Sequence, residues 1–561
     1  MSSHTPICSS LVLTNVLSLA AALNYVSNYT ENPDLQIQLP NGLIQGSVKR
    51  TVDVGMPYYS FEGVPYAKPP VGGLRFQPPQ APDNWDGVLN ADGDVPSCIQ
   101  IPATDLVESE DCLYVNVYVP KPAPETALPK AVMVWIYGGG FLFGVANSTY
   151  YGPDYLLEQD VIVVHFSYRV NVFGFLSTGD SSLPGNYGLK DQLAALKWVR
   201  ANIHLFGGDP DRITIFGESA GGASVQYHLV SPKSRGLFHS AISESGSTLC
   251  AWALQSDPGH FAYQIGYAAG FLGGSTRALV RYLKKLSSRQ LRRAAVGAAI
   301  VNSIKLEQSL AFSPALEPEH DDAFITESSY DLLKTGDFER VPYVVGFNSE
   351  ESGGARAAIE IGEPLLNMLP NDLLVPPGMN NKAKIIGDEI RKFYFDSNTK
   401  PRIQQYVDFL SDSSFYRPIV ESARFYSLYA PVYMYRFAYE GYFLGKKAFS
   451  MGQESKVNGV MHAEEIWYLF RRGDLKHAND TDKMMRKRMV KLWTNFAKFS
   501  NPTPEPDALL ENVTWPRYQK GDYPYLNIDH EMTVGKNFRE QTMEFWRELF
   551  SKYGRPPFDT Y

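Results

Sequence analysis

The chain has 561 residues, of which 44% are hydrophobic and 20% charged, with a formal net charge of −8. This balance excludes disordered, collagen-like and coiled-coil classes. Without clustered Lys and Arg to replace counterions it also excludes a nucleic-acid groove, so no nucleic-acid partner is expected.

The N-terminal stretch "ICSSLVLTNVLSLAAALNY" is apolar, broken by serines, and has small residues near Ala20 and Ala22 where a signal peptidase cuts. It predicts a signal peptide over 1–22 and a secreted protein, although such segments usually open on a basic residue and the first one here is Lys49. If the segment is not a signal, the protein is cytoplasmic. No later run is long and apolar enough to span a membrane, and the tail "RPPFDTY" is neither a retention signal nor an anchor precursor. Sequons at Asn28, Asn147, Asn479 and Asn512 fit a secreted glycoprotein, though so short a pattern also arises by chance.

Cys8 falls in the leader. Cys98 and Cys112 bracket a polar segment whose length suits a small disulfide loop, the alternative being two unrelated thiols. Closing such a loop stabilises by about 3 kcal/mol on the chain-entropy model. Cys250 is left over and reads as a buried, inert thiol.

Continuous apolar runs follow at 131–137 ("AVMVWIY"), 161–166, 212–216, 343–347 and 432–437. Runs apolar on both faces predict strands covered on both sides, hence a mostly parallel central sheet. Between them, Leu189, Leu193, Leu196, Val199 and Ile203 repeat at helical spacing and predict an amphipathic helix over 187–203. Strands alternating with helices define an α/β fold, whose chemistry lies in loops at the carboxyl ends of the strands. With no repeat or linker visible, one domain over 23–561 is the simplest organisation.

After the run at 212–216 comes Gly217-Glu218-Ser219-Ala220-Gly221, ahead of a predicted helix. A tight strand-to-helix turn lifts the central serine above the sheet and leaves no room for bulky neighbours, so the segment reads as a nucleophile elbow. Upstream, "WIYGGGFLFG" places three glycines directly after a strand, where bare backbone can aim successive N–H groups at one point. The amides of Gly139, Gly140 and Ala220 are the candidate oxyanion hole.

A serine hydroxyl needs a base and an acid to orient it, and in this kind of fold acid and histidine follow the serine in chain order. Glu350 and Glu351 are the candidate acids, and spacing alone does not choose between them. His462, in "NGVMHAEEIWYLF", is the candidate base; His477 and His530 read as solvated, and His228 as a structural histidine on the elbow helix. The run Arg486 to Lys491 reads as one face of a helix.

With these residues goes a series of blocks, "FEGVPYAKPPVGGLRF", "EDCLYVNVYVP", "FSYRVNVFGFLSTGD", "PGNYGLKDQLAALKWVRANI", "FGGDPDRITIFGESAGG" and "GFNSEESGG". In content and order the chain resembles the type B carboxylesterase/lipase family, which includes the cholinesterases, and more closely its insect esterases. The resemblance implies an α/β-hydrolase fold and hydrolysis of small-molecule carboxylic esters, with no metal and no cofactor. It implies Ser219 as nucleophile, Glu351 rather than Glu350 as acid, and His462 as base. It further implies a Cys98–Cys112 disulfide, ion pairs Arg75–Glu110 and Arg169–Asp191, Ser245 supporting the acid, and Glu218 in the surrounding hydrogen-bond network.

Four departures matter. Tyr137 stands where many members carry His, and Ser352 where glycine is usual. The Cys98–Cys112 segment holds no tryptophan, which disfavours choline esters. Glu218 stands where juvenile hormone esterases typically carry Gln. Two other functions are carried on this scaffold, a silent adhesion or binding protein and a lipase. The natural ester, whether xenobiotic, pheromone or odorant, or hormone ester, is not readable.

Overall fold

The computed structural model describes residues 35–93, 95–120, 128–303, 310, 312–355, 374–376, 379, 382–395, 403–441, 459–472, 478–556, 558 and 560–561. The predicted signal at 1–22, Cys8, the Asn28 sequon and His477 lie outside them. Two compact units divide the chain, 1–36 and 37–561; of the first only Leu35 and Gln36 are described.

In the second unit, eleven strands among the described residues form one sheet. They are β1 (Ser47–Arg50), β2 (Pro57–Pro65), β3 (Tyr114–Pro120), β4 (Lys130–Ile136), β5 (Ile162–Phe166), β6 (Gly208–Glu218), β7 (Ser240–Glu244), β8 (Tyr343–Asn348), β9 (Val432–Phe437), β10 (Pro524–Ile528) and β11 (Met532–Lys536). Their spatial order is β11-β10-β9-β8-β7-β6-β4-β5-β3-β2-β1. The block from β5 through β4 and β6 to β10 is parallel, and the margins are antiparallel. The runs at 131–137, 161–166, 212–216, 343–347 and 432–437 are β4, β5, the core of β6, β8 and β9. β5 and β8 are buried throughout and β4 from its second residue, as strands covered on both faces must be.

Five helices matter here: α1 (Tyr187–Asn202), α2 (Ala220–Val230), α3 (Ile403–Ser411), α4 (Arg417–Tyr426) and α5 (Asp480–Phe499). α2 packs on β6 and β7, and α5 on β4 and β6. The helix predicted over 187–203 is α1, but it is not a surface helix with one wet face: Lys190, Asp191 and Gln192 are buried with the leucines. Each is paired, as burial demands. Lys190 Nζ meets Glu317 Oε2 at 2.5 Å, Asp191 binds Arg169 through two 2.7 Å bonds, and Gln192 Oε1 meets His228 Nε2 at 3.1 Å. His228, also 2.8 Å from Ser234 Oγ, is thus a buried, bonded structural residue. The basic run lies on α5, where Arg486 is buried, its guanidinium 4.2 Å from the centre of the Tyr155 ring and its charge paired with Asp53.

Cys98 and Cys112 are bonded, with S–S 2.04 Å, and Arg75 Nε donates to Glu110 Oε2 at 2.6 Å. Cys250 is free and buried, and burial pushes its thiol far above the ordinary cysteine range.

Candidate active site

Four neighbouring parallel strands and the loops after them supply the site in spatial order. The glycines follow β4, Ser219 follows β6, Ser245 follows β7, and Glu351 comes three residues after β8. His462 lies beyond β9, the next strand in the sheet. Residues hundreds of positions apart converge because their strands are hydrogen-bonded neighbours with the same direction.

Ser219 sits at φ 59°, ψ −124°, a conformation that costs a non-glycine residue about 1–3 kcal/mol and persists only when its surroundings hold it. Here its N–H donates to Glu244 O at 2.8 Å and its C=O accepts from Ala223 N at 2.9 Å, pinning the turn from both sides. The flanking glycines follow from close approach: a Cβ on Gly217 would lie 2.5 Å from Ile136 O, and one on Gly221 2.0 Å from the same atom. Ala220 opens α2, so its N–H has no intrahelical acceptor.

The glycine loop presses on this elbow. A Cβ on Gly138 would lie 2.4 Å from Glu218 O and 3.0 Å from Ser219 Cβ. Gly139 adopts φ 104° and Gly140 φ 62°, and the carbonyl of Gly139 caps the turn by accepting from Leu142 and Phe143 N–H at 3.0 and 3.3 Å. Tyr137, where histidine is common, donates its hydroxyl to Tyr168 O at 3.0 Å and stacks on the Tyr168 ring. Leu310 overhangs the loop, its Cδ1 3.4 Å from a Cβ position on Gly140.

On the far side, His462 Nδ1 lies 2.6 Å from Glu351 Oε2. The other oxygen of Glu351 accepts from Asn348 N at 2.7 Å and Ser245 Oγ at 2.6 Å. Glu350 points elsewhere and accepts from Gln404 Nε2 at 3.0 Å. Nε2 of His462 stands 3.1 Å from Glu218 Oε1, a charge contact without hydrogen-bond alignment. The Ser219 hydroxyl makes no hydrogen bond among the described residues.

Two more carboxyls, Glu218 and Glu465, act on this imidazole and a third, Glu244, neighbours them; Glu244 and Glu465 escape sequence reasoning. Glu218 and Glu244 face each other across parallel β6 and β7. Glu244 accepts from Trp493 Nε1 at 2.8 Å through one oxygen while the other has no hydrogen-bond partner. Glu465 accepts from the Asn348 side-chain amide and lies 3.3 Å from Ser245 Oγ. The shorter contact directs the single Ser245 proton at Glu351.

The titration directions agree with this arrangement. Burial, reinforced by neighbouring carboxylates, pushes Glu244 well above the carboxylate range, Glu465 up to about 8 and Glu218 up to about 7. Desolvation lowers His462, but the charges of Glu218 and Glu351 outweigh it and raise the imidazole above its ordinary value. The only sequence trace of Glu244 and Glu465 is an acid in "SESGS" and a second acid in "HAEE".

A strained serine at a strand-to-helix elbow, a glycine loop beside it and a carboxylate-bound histidine define the class of α/β-fold hydrolases. Residues 33–546 match the model of the carboxylesterase family. The chain is 37% identical over 524 residues to a juvenile hormone esterase of Tribolium castaneum, covering 87% of each protein. It is 32% identical over 541 residues to a cocaine esterase of Homo sapiens, covering 90% of each. Among solved structures it is similar to that of juvenile hormone esterase from Manduca sexta with OTFP covalently attached: TM-score 0.82, 29% identity, 92% of this chain and 99% of that one. The chain belongs to the carboxylesterase family and is a carboxylic ester hydrolase.

Proposed function

We propose that the protein is a serine esterase that hydrolyses small, uncharged esters through an acyl-serine intermediate. His462 takes the Ser219 proton as the hydroxyl attacks the ester carbonyl, and Glu351 holds the imidazole and stabilises its cation. The amides of Gly139, Gly140 and Ala220 stabilise the tetrahedral oxyanion, aided by the positive end of α2. Alcohol leaves with the proton from His462; water then enters, is deprotonated by the same ring, and releases the acid. Ser245 supports Glu351, and Glu218 favours the imidazolium.

The observation that carries this reading is the His462 ring, bound 2.6 Å from Glu351 on one nitrogen and facing the elbow residue Glu218 with the other. Catalytic hydrogen bonds commonly close only in the substrate complex, which accommodates a serine hydroxyl without a hydrogen bond among the described residues. The covalent adduct named for the Manduca sexta enzyme supports a covalent route. The Leu310 overhang and the Phe415 ring, centred 4.7 Å from that of His462, favour an apolar ester over a choline ester. The exposed sequon residues Asn479 and Asn512, the half-buried Asn147 and the disulfide support secretion as a glycoprotein.

The test is Ser219→Ala with a nitrophenyl ester, where we expect a fall in kcat of about 10⁴ to 10⁶, together with stoichiometric organophosphate labelling of the parent serine. Turnover of the variant at the parent rate overturns the proposal. A parent that neither labels nor turns over is a silent binding protein, and a jump in rate at a lipid interface marks a lipase.

A further inference from the structure

Between α3 and α4 the chain makes one turn of π-helix, Asp412–Tyr416, in which Arg417 N–H bonds back to Asp412 C=O, five residues earlier. One inserted residue turns the following side chains by about 100° relative to a continuous α-helix. π-bulges of this kind need compensating contacts to persist, and here they have them. The Trp252 indole donates to Ser414 O at 2.9 Å, and Asp412 accepts from Tyr394 Oη at 2.9 Å and pairs with Arg539 at 3.1 Å.

The turn delivers three contacts to the acid and base. The buried Tyr416 hydroxyl donates to Asn348 O at 3.0 Å and accepts from Glu351 N–H at 3.4 Å, so one oxygen ties the end of β8 to the acid itself. Ser411, the last residue before the turn, accepts from Ser352 N–H at 3.0 Å. Phe415 sets its ring 4.7 Å from the imidazole of His462, tilted by 46°. A plain helical crossing would have no reason to touch the backbone before, at and after one glutamate while also walling the histidine it binds.

We propose that the π-helical turn 412–416, with Ser411, is a clamp that positions the Glu351–His462 pair, and that Tyr416 is its principal positioning residue. The inference rests on the triad reading above. Tyr416 touches neither substrate nor a reacting atom; it acts by fixing the backbone from which the Glu351 carboxylate reaches Nδ1. A triad displaced by a fraction of an ångström loses rate without losing substrate affinity, because the affected contacts form in the transition state.

The experiment compares Tyr416→Phe and Ser411→Ala with the parent by kcat and KM on a nitrophenyl ester, each normalised to the serines titrated by a fluorophosphonate. Tyr416→Phe keeps the ring that packs on Phe347 and Phe538, at centroid distances of 4.7 and 5.2 Å, so the fold is retained. We expect kcat per titrated serine to fall about tenfold to a hundredfold with KM within about twofold, and Ser411→Ala to fall less, in the same direction. Parent kcat per titrated serine in both variants overturns the clamp, as does a loss confined to the number of titratable serines. Ser219→Ala and Glu351→Gln run alongside separate the two readings. If either turns over at the parent rate, the triad falls and the clamp with it. If both are silent while Tyr416→Phe matches the parent, the clamp alone falls.

Discussion

Replacing Glu218 by Gln should move the acid limb of kcat/KM to lower pH. In the proposed mechanism His462 is the general base, which works only when neutral, so the acid limb reports its titration in the free enzyme. Glu218 Oε1 stands 3.1 Å from His462 Nε2, and removing its charge removes the largest of the attractions that raise the imidazole. At an effective dielectric of about 20, two unit charges at that distance attract by about 5 kcal/mol. The His462 side chain is 28% exposed, and water reaching the ring halves that figure to roughly 2.5 kcal/mol, or about two pH units. Because Glu218 is itself pushed up to about 7, acid and base titrate as a pair and part of this attraction is already gone when the limb is reached. The expected displacement is therefore about one to two units downward. Initial rates on a nitrophenyl acetate from about pH 5 to about pH 10, at substrate well below KM, measure it. The sign is fixed: the variant retains a larger fraction of its own maximum in acid. An acid limb that stays at the parent's position, or moves up, refutes the reasoning, since neither is compatible with a charged Glu218 holding the imidazolium.

Ser245→Ala removes the 2.6 Å donor to Glu351. A hydrogen bond to a charged group contributes about 1.5–3 kcal/mol, so kcat should fall about tenfold to a hundredfold, read by steady-state kinetics at unchanged KM. Gly221→Ala forces a Cβ to within 2.0 Å of Ile136 O and 2.9 Å of Tyr137 C. Both obstacles are backbone, so we expect the elbow to shift, with organophosphate labelling slowed about a hundredfold and thermal unfolding showing a loss of about 1–3 kcal/mol.

Much of this architecture was legible because burial on both faces leaves an unmistakable apolar run. β4, β5, β8 and β9 read directly, as did the elbow and the glycine loop, whose small residues are forced by backbone a few ångströms away. β7 did not read, and the reason is chemical. Its sequence is "SAISE", three polar residues in five. It is nonetheless buried throughout because each polar side chain finds a partner: Ser240 Oγ with Thr214 Oγ1 at 2.7 Å, Ser243 Oγ with Gly222 O at 2.8 Å, one oxygen of Glu244 with Trp493 at 2.8 Å. Such pairing is set by register between strands and has no local signature. The same holds for the wet face assigned to α1, where Lys190, Asp191 and Gln192 meet partners far away in the chain. The choice between Glu350 and Glu351 is likewise a matter of which side of one turn faces inward; one carboxylate lies on Gln404, the other on His462.

The acid cluster explains why a carboxylate beside the nucleophile is tolerable at all. In the proposed mechanism a charged Glu218 opposes the oxyanion that develops on substrate bound to Ser219, yet it stabilises the imidazolium that forms in the same step, and the two effects partly cancel. The balance favours catalysis when the oxyanion is screened by its own donors while the imidazolium is not. On the proposed assignment the glycine amides and the α2 N-terminus supply the first condition, and the 3.1 Å approach of Glu218 to Nε2 the second. Were Glu244 and Glu465 also ionised, the cluster would hold four carboxylates against one cation, and the oxyanion of the proposed mechanism would form in a strongly negative field. Burial favours their protonated forms, in which Glu244 and Glu465 serve as neutral, polar packing around Trp493, Asn348 and Ser245. The site then keeps two carboxylates for one imidazolium, one on each ring nitrogen.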